Sequence, residues 1–363
     1  MLIALAWALH AWLGPPADRL PPLFEPPART YQYAPCVVAD RGALHAWYCV
    51  NGTPGEITDC IGHRKARKVR GRWVWGPQDM ALRPGAPRTA WDSRHVCDPE
   101  VVAGRFRFRR RTWRYAMLYL GCDAEGSTHN QVGVAVANTL DGPWVRYPDP
   151  VIRYTSGDAT GPTGERFGWP VYRYWGVGQP AAVSLDRKGT LLVFYSRGEQ
   201  VHGEMLVEMD LSDLDRGPIV STPIPMPTRG LTDDQGRPLP AVVNVGVALD
   251  ERRKVLYLVG DGALRSDGLL PDFISAEIVA ASIPWVEVRA GAGVWQPIGW
   301  IGSSRTGWLR NHNASIVKDA WGRTAGVRTL DVALSVAEAY RTLPPESAWL
   351  WTYRIVWFDL PLD

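Results

Sequence analysis

Self-similarity constrains this chain more than any single motif does, because a unit that recurs at a near-regular period must stack on copies of itself. The unit is a polar residue, often followed by proline, then an apolar strand, a turn carrying Asp or Gly, and a second strand rich in aromatics. It reads APCVV, DRG and HAWYC from Ala34, then DPEVV with a long hairpin to YAMLYL from Asp98, then QPAAVSLD and LLVFY from Gln179. NVGVALD and VLYLV from Asn244 make the fourth copy, and NHNASIVKD from Asn311 opens the fifth. Further strand-like material completes each unit, NQVGVAVA before DGPW in the second copy and CIGHRKA before GRWVW in the first. A spacing of roughly 60–80 residues exceeds a WD40 blade and fits a propeller carrying loop insertions. The expected fold is all-β, a five-bladed β-propeller with four-stranded antiparallel blades. WLWTYRIVWFD (349–359) is predicted to close the ring, and residues 331–342 are predicted as a helix or an irregular insertion.

Composition agrees with short strands joined by many turns, with 36 glycines and 30 prolines among 363 residues. The 40 basic and 37 acidic residues leave a formal charge of +3, which provides no electrostatic footprint for nucleic acid. Two basic stretches, 63–72 and 105–114, alternate with apolar residues or flank a turn and read as solvated strand faces. The apolar run MLIALAWALHAWL before GPPA is too short to span a bilayer and matches the core of a secretory signal. Residues 1–17 are therefore predicted as a signal peptide and 18–363 as a single domain, secreted or periplasmic, with no stable membrane span after cleavage. Five cysteines, Cys36, Cys49, Cys60, Cys97 and Cys122, allow two disulfides with one thiol left over in an oxidising compartment. No Cys/His spacing of the zinc-ligand kind is present, so no structural metal is predicted.

In a propeller the inner strands start near one mouth of the axial channel, so equivalent positions of different copies converge there. Matching Asp319 to Asp186 aligns Ala34, Asp98, Gln179, Asn244 and His312, four of the five polar. Strand alternation puts Glu100 on the same side as Asp98 and His95 on the opposite side. Glu199, Glu204 and Asp261 follow second strands and reach toward the mouth, and Asp158 and Glu165 lie in a glycine-rich insertion (155–168) predicted to form a lid. Most of the 18 tryptophans are expected in the packing between sheets, with Trp175 and Trp308 the candidates to wall the cleft. Neutral oxygens from Gln179, Asn244 and Asn313 suit Ca2+ in the axial channel, although no cofactor is required.

The segments DPEVV and YAMLYL, together with GVAVANTLDGPW (133–144), resemble the five-bladed β-propeller glycoside hydrolases of families 43 and 117. The resemblance implies, for family 43, three acids at inner-strand starts acting as general base, pKa modulator and general acid. This chain supplies Asp98, with Ala34 and Gln179 where others would stand. In family 117 a histidine takes the acid role, and His312 in NHN holds an inner-strand start. The implied activity is a glycosidase on a plant, algal or bacterial wall glycan, with Asp98 as base, His312 or a loop glutamate as acid, and Glu100 beside them. Gln179, Asn244, Asn313, Trp175 and Trp308 would bind the carbohydrate. A non-catalytic sugar- or protein-binding propeller that lost its acids is the competing expectation.

Overall fold

The computed structural model describes residues 19–124, 129–154, 164–166, 169–171, 175–198, 202–262, 274–324, 327–338 and 350–362. Five antiparallel sheets form the blades of a propeller. From inner strand outward, blade 1 runs Gln32–Asp40, Ala43–Asn51, Asp59–Val69 and Arg72–Trp75, with Asp79–Leu82 also paired to its third strand. Blade 2 is His95–Phe108, Arg111–Cys122, Gln131–Ala137 and Val145–Arg146. Blade 3 is Gly176–Ser184, Thr190–Gly198 and His202–Asp210 with two short outer strands. Blade 4 is Val243–Asp250, Val255–Asp261, Glu277–Pro284 and Gln296–Gly302. Blade 5 has three strands among the described residues, Arg310–Ile316, Thr329–Ala337 and Arg354–Pro361.

Each blade packs on two neighbours, so its strands are apolar on both faces and read as continuous runs such as QVGVAVA, every residue of which is buried. One apolar cluster fills each junction between consecutive blades, for example Phe106, Trp113 and Val134 against Val193 and Met209 between blades 2 and 3. Thr329–Ala337 is the second strand of blade 5, where a helix or irregular insertion was expected from residue 331. Its DVALSVA pattern is the signature of a strand covered on both sides, which short apolar runs share with buried helices.

The hairpin after the inner strand of blade 5 ties the ring together from the side opposite the site. Lys318 and Asp319 pair in parallel with Val38 and Ala39 of blade 1, and Arg323 and Thr324 pair with Leu249 and Asp250 of blade 4. The Ala103 N–H of blade 2 donates to Ala320 O, and the Ser184 N–H of blade 3 donates to Trp321 O. Gly322 sits at φ 78°, and a Cβ on it would lie 2.9 Å from Ala182 O, so a side chain there would strike backbone. One eight-residue turn region, 317–324, thus touches the inner strand of every other blade.

Cys49 and Cys97 form a disulfide between blades 1 and 2, while Cys36, Cys60 and Cys122 are free and buried. Sequence counting allowed two bridges; the three remaining thiols are spent in packing instead. The predicted signal segment lies outside the described residues. No helix among those described is long and apolar enough to cross a membrane.

Candidate active site

The inner strands share one local distortion. Ala34, Asp98, Gln179, Asn244 and Asn313 all have positive φ, between 44° and 53°. Each lies at a register break where the inner strand carries one extra residue against its partner. A bulge re-aims side chains, and a left-handed φ in a non-glycine residue persists only when its surroundings enforce it. The five bulges turn these side chains and the residues after them toward the axis, where they line a cavity of about 40 Å³. The blade 5 member of this ring is Asn313, one residue beyond the expected His312. Matching Asp319 to Asp186 misplaced it because blade 5 has one residue fewer than blade 3 between ring and turn.

Four of the five ring residues, all but Gln179, aim a backbone N–H at a side chain on the second strand of the preceding blade. Asn313 N–H donates to Asp261 Oδ1 (2.9 Å), Ala34 N–H to Ser335 Oγ (2.8 Å) and Asn244 N–H to Ser196 Oγ (2.9 Å). Asp98 N–H points at Cys49 Sγ of the disulfide at 3.0 Å. These acceptors occupy equivalent register positions, each opposite the residue before a ring residue. Leu120 holds that position in blade 2 and has no polar atom to offer.

Asp261 does more than its counterparts. Its carboxylate, 2 % exposed, also accepts from Asn244 Nδ2 (2.7 Å) and contacts His312 Nδ1. Asp98 lies near this pair and is 8 % exposed. Burial pushes its carboxyl up to about 7, helped by the charges of Asp59 and Asp261 and opposed by His312 and a hydrogen bond from Gln179. Asp98, His312 and Asp261 therefore feel one another in one place. Glu204 is a further buried carboxyl, held by Ser196 Oγ (2.9 Å) and pushed well above the usual carboxylate range by burial. Tyr33 and Tyr353, whose rings are 5.2 Å apart, flank this cluster, with Tyr353 6.4 Å from His312. Gln179 Oε1 and Asn313 Oδ1 are buried beside the axial cavity with no hydrogen-bond partner among the described residues.

The remaining expected residues sort differently. Glu100 lines the same cavity as Asp98, but its carboxylate is engaged by Lys318 Nζ at 2.6 Å and by Ala182 N–H at 3.0 Å. Lys318 also donates to Val247 O (2.8 Å), so this pair joins blades 2, 3 and 4 to the blade 5 hairpin. His95 accepts from Asp59 N–H (3.0 Å). Trp308 is buried in the core between blades 4 and 5, its Nε1–H donating to Leu20 O (3.0 Å) and Arg19 stacked on its ring at 4.1 Å. Trp175 packs over Gly198, where any Cβ would strike its indole ring. Glu199 and Asp158 lie outside the described residues, as does the side chain of Glu165.

Asp59 was missed by comparing inner-strand starts, because it opens a third strand. It receives the Tyr31 hydroxyl (2.6 Å) and sits 3.2 Å from His95. A larger cavity of about 490 Å³ opens at the opposite end of the inner strands. Its Arg41 and Arg114 are exposed, and Asp319 there accepts the N–H groups of its own turn, so it gathers no comparable set of buried ionisable groups.

No family model matches the sequence, and neither does any curated protein. Solved structures do match in fold. The α-L-arabinofuranosidase PaAbf62A of Podospora anserina, in complex with cellotriose, is similar over 94% of both chains with a TM-score of 0.54 and 10% identity. The GH43_1 enzyme of Xanthomonas citri complexed with xylose is similar over 94% of this chain and 89% of its own, with a TM-score of 0.54 and 13% identity. Zg3597, a family 117 glycoside hydrolase of Zobellia galactanivorans, is similar over 95% and 90%, with a TM-score of 0.54 and 14% identity. At such identities the likeness is one of fold, and the five-bladed propeller is common to all of them.

Proposed function

We propose that this chain is a glycoside hydrolase-like propeller that takes a glycan at the mouth of its axial channel. Asp98 is the general base and His312, held by Asp261, is the proton donor to the leaving oxygen. The observation that carries this reading is the Asp98 carboxyl, raised to about 7 beside an imidazole in contact with a buried carboxylate. A base poised near neutral pH balances availability against driving force for taking a proton from water. Asp261 lies against Nδ1 and leaves Nε2 as the nitrogen for proton transfer, and its carboxylate would balance the charge of a protonated imidazole. Glu204, pushed well above the usual carboxylate range, is the alternative donor.

Gln179 and Asn313 supply the free carbonyl oxygens of the channel, which suit a substrate hydroxyl, an ordered water or a hard cation. Ca2+ there would be held by those oxygens and Asp98, and with a single carboxylate it would be weakly held. Glu100 belongs to the framework in this reading. Export is part of the proposal, supported by the N-terminal apolar run and the Cys49–Cys97 bridge. Ala34 and Gln179, neutral where family 43 carries acids, favour a second reading, a carbohydrate-binding propeller without turnover.

The test is hydrolysis of aryl arabinosides, xylosides and galactosides by the wild type and Asp98→Asn, with binding of xylo- and cello-oligosaccharides measured alongside. Turnover lost in Asp98→Asn supports the enzyme. Equal rates eliminate Asp98 as base, and binding with no turnover in the wild type selects the second reading.

A further inference from the structure

A cluster at the rim, away from the axial site, has no part in the function proposed above. In blade 1 the register pairs Trp47 with His63 and His45 with Lys65, so these four side chains share one face of the sheet. His45 and His63 are diagonal neighbours there, 3% and 5% exposed, with His45 Nδ1 3.0 Å from His63 Nε2. Trp47 stacks on both imidazoles, at 5.7 Å and 4.9 Å between ring centroids, and Trp144 of blade 2 meets Trp47 edge-on. The turn after the third strand of blade 2 brings Asp141 over the pair, with Oδ1 3.7 Å from His45 Nδ1. That turn is held by Thr139 Oγ1–H donating to Gly142 O at 2.7 Å.

We propose that His45, His63 and Asp141 form a binding site for a divalent cation of the zinc type, clamping blade 1 to blade 2. One nitrogen or oxygen from each of the three residues lies within 4.8 Å of the others. Tetrahedral zinc with bonds of about 2.0–2.1 Å to nitrogen places two ligand nitrogens about 3.3 Å apart, close to the spacing already present. Two imidazoles and one carboxylate select zinc and its neighbours in the d-block over calcium or magnesium, which take oxygen sets. Asp141 is exposed, so the ion has an entry path and an open fourth position for water. Both imidazoles are buried, which favours the neutral form that ligates. The paired tryptophans fix the ring planes before any ion arrives.

Two charged neighbours set the strength of the site. Lys65 Nζ lies 3.3 Å from Asp141 Oδ2 and opposes a second cation. Asp79, paired with His63 across the adjoining strand, adds negative potential. The sequence hides this site because the two histidines are 18 residues apart and the carboxylate comes from another blade.

The experiment uses the full chain without a polyhistidine tag, stripped with EDTA and titrated with ZnCl2 by calorimetry, with CoCl2 absorbance as a coordination signature. One equivalent of Zn2+ is expected to bind and to raise the melting temperature, with no such effect from CaCl2. Asp141→Asn and His63→Gln are expected to weaken binding about 10–100-fold, by loss of a ligand. Lys65→Met is expected to tighten it about tenfold, by removal of a like charge. Asp141 and Lys65 lie at the surface, so their variants decide the matter even if a histidine variant fails to fold. Absence of stoichiometric binding, or binding that survives the His45→Gln/His63→Gln double variant, overturns the proposal.

Discussion

The junction between blades 5 and 1 and the junction between blades 4 and 5 meet the same backbone need with different side chains. In the first, Ser335 Oγ accepts the Ala34 N–H at 2.8 Å, and Ala34 adds no polar group of its own. In the second, Asp261 Oδ1 accepts the Asn313 N–H at 2.9 Å, while Oδ2 holds Asn244 Nδ2 and contacts His312. Serine suffices for the backbone. A buried carboxylate at the same place has to be explained by what else it touches, since burying charge costs far more than burying a hydroxyl. The contrast separates architecture, common to the blades, from chemistry, which collects around blades 2, 4 and 5.

The largest expected effect tests the chemical side. Asp98→Asn should lower turnover by about 10²–10⁴-fold if Asp98 is the base. It should also stabilise the fold above neutral pH. The carboxyl is raised from 3.8 to about 7, so the folded chain binds more protons than the unfolded one between those values, and wild-type stability falls as pH rises through that window. The variant lacks this loss, so its melting temperature should exceed that of the wild type at pH 8 and converge with it near pH 4. A wild-type advantage at pH 8 would contradict the electrostatic reading of the site.

Next comes the framework. Lys318→Met leaves the Glu100 carboxylate buried without its cation, and breaking such a pair costs about 3–5 kcal/mol. Denaturant unfolding should show a loss of that size, and the double variant Lys318→Met/Glu100→Met should recover most of it. If Lys318→Met is neutral, the axial pair does not hold the ring.

Asp261→Ser installs the blade 5 solution in blade 4. Serine still accepts the Asn313 N–H, so the fold should keep its stability to within about 1 kcal/mol. His312 loses its carboxylate, and turnover should fall about 10–100-fold with a displaced acid limb in the pH profile. Unchanged turnover would return Asp261 to a purely structural part.

Much of this contrast was legible in the sequence. The repeat gave the five blades and, at Ala34, Asp98, Gln179 and Asn244, the ring itself, because a bulge that converges on an axis repeats with the blade. His312 was off the ring by one residue because the stretch from ring to turn is one residue shorter in blade 5 than in blade 3, and a one-residue slip in a strand moves every side chain to the other face. Glu100 does line the cavity with Asp98, as alternation predicts, but its carboxylate is taken up by Lys318 and the Ala182 N–H, partners that only the assembled ring brings to it. Asp261 was legible as a residue reaching the mouth after a second strand, whereas Asp59 opens a third strand, where periodicity places it only after register is known. Trp308 looked like a cleft wall from its position before an inner strand, yet its large ring is worth more in the core.

The smallest expected effect isolates the architectural half. Ser335→Ala removes the acceptor of the buried Ala34 N–H and nothing in the ionisable cluster. Leaving one buried donor unmade costs about 1–3 kcal/mol, and the lower end applies because Leu120 already holds the equivalent place in blade 2 without a polar atom. Urea unfolding should therefore show a loss of about 1 kcal/mol with an unchanged slope. Turnover and oligosaccharide binding should equal those of the wild type. A turnover loss as large as that of Asp261→Ser would mean that the acceptor ring positions the chemistry as a whole, and the division between the two junctions would fail.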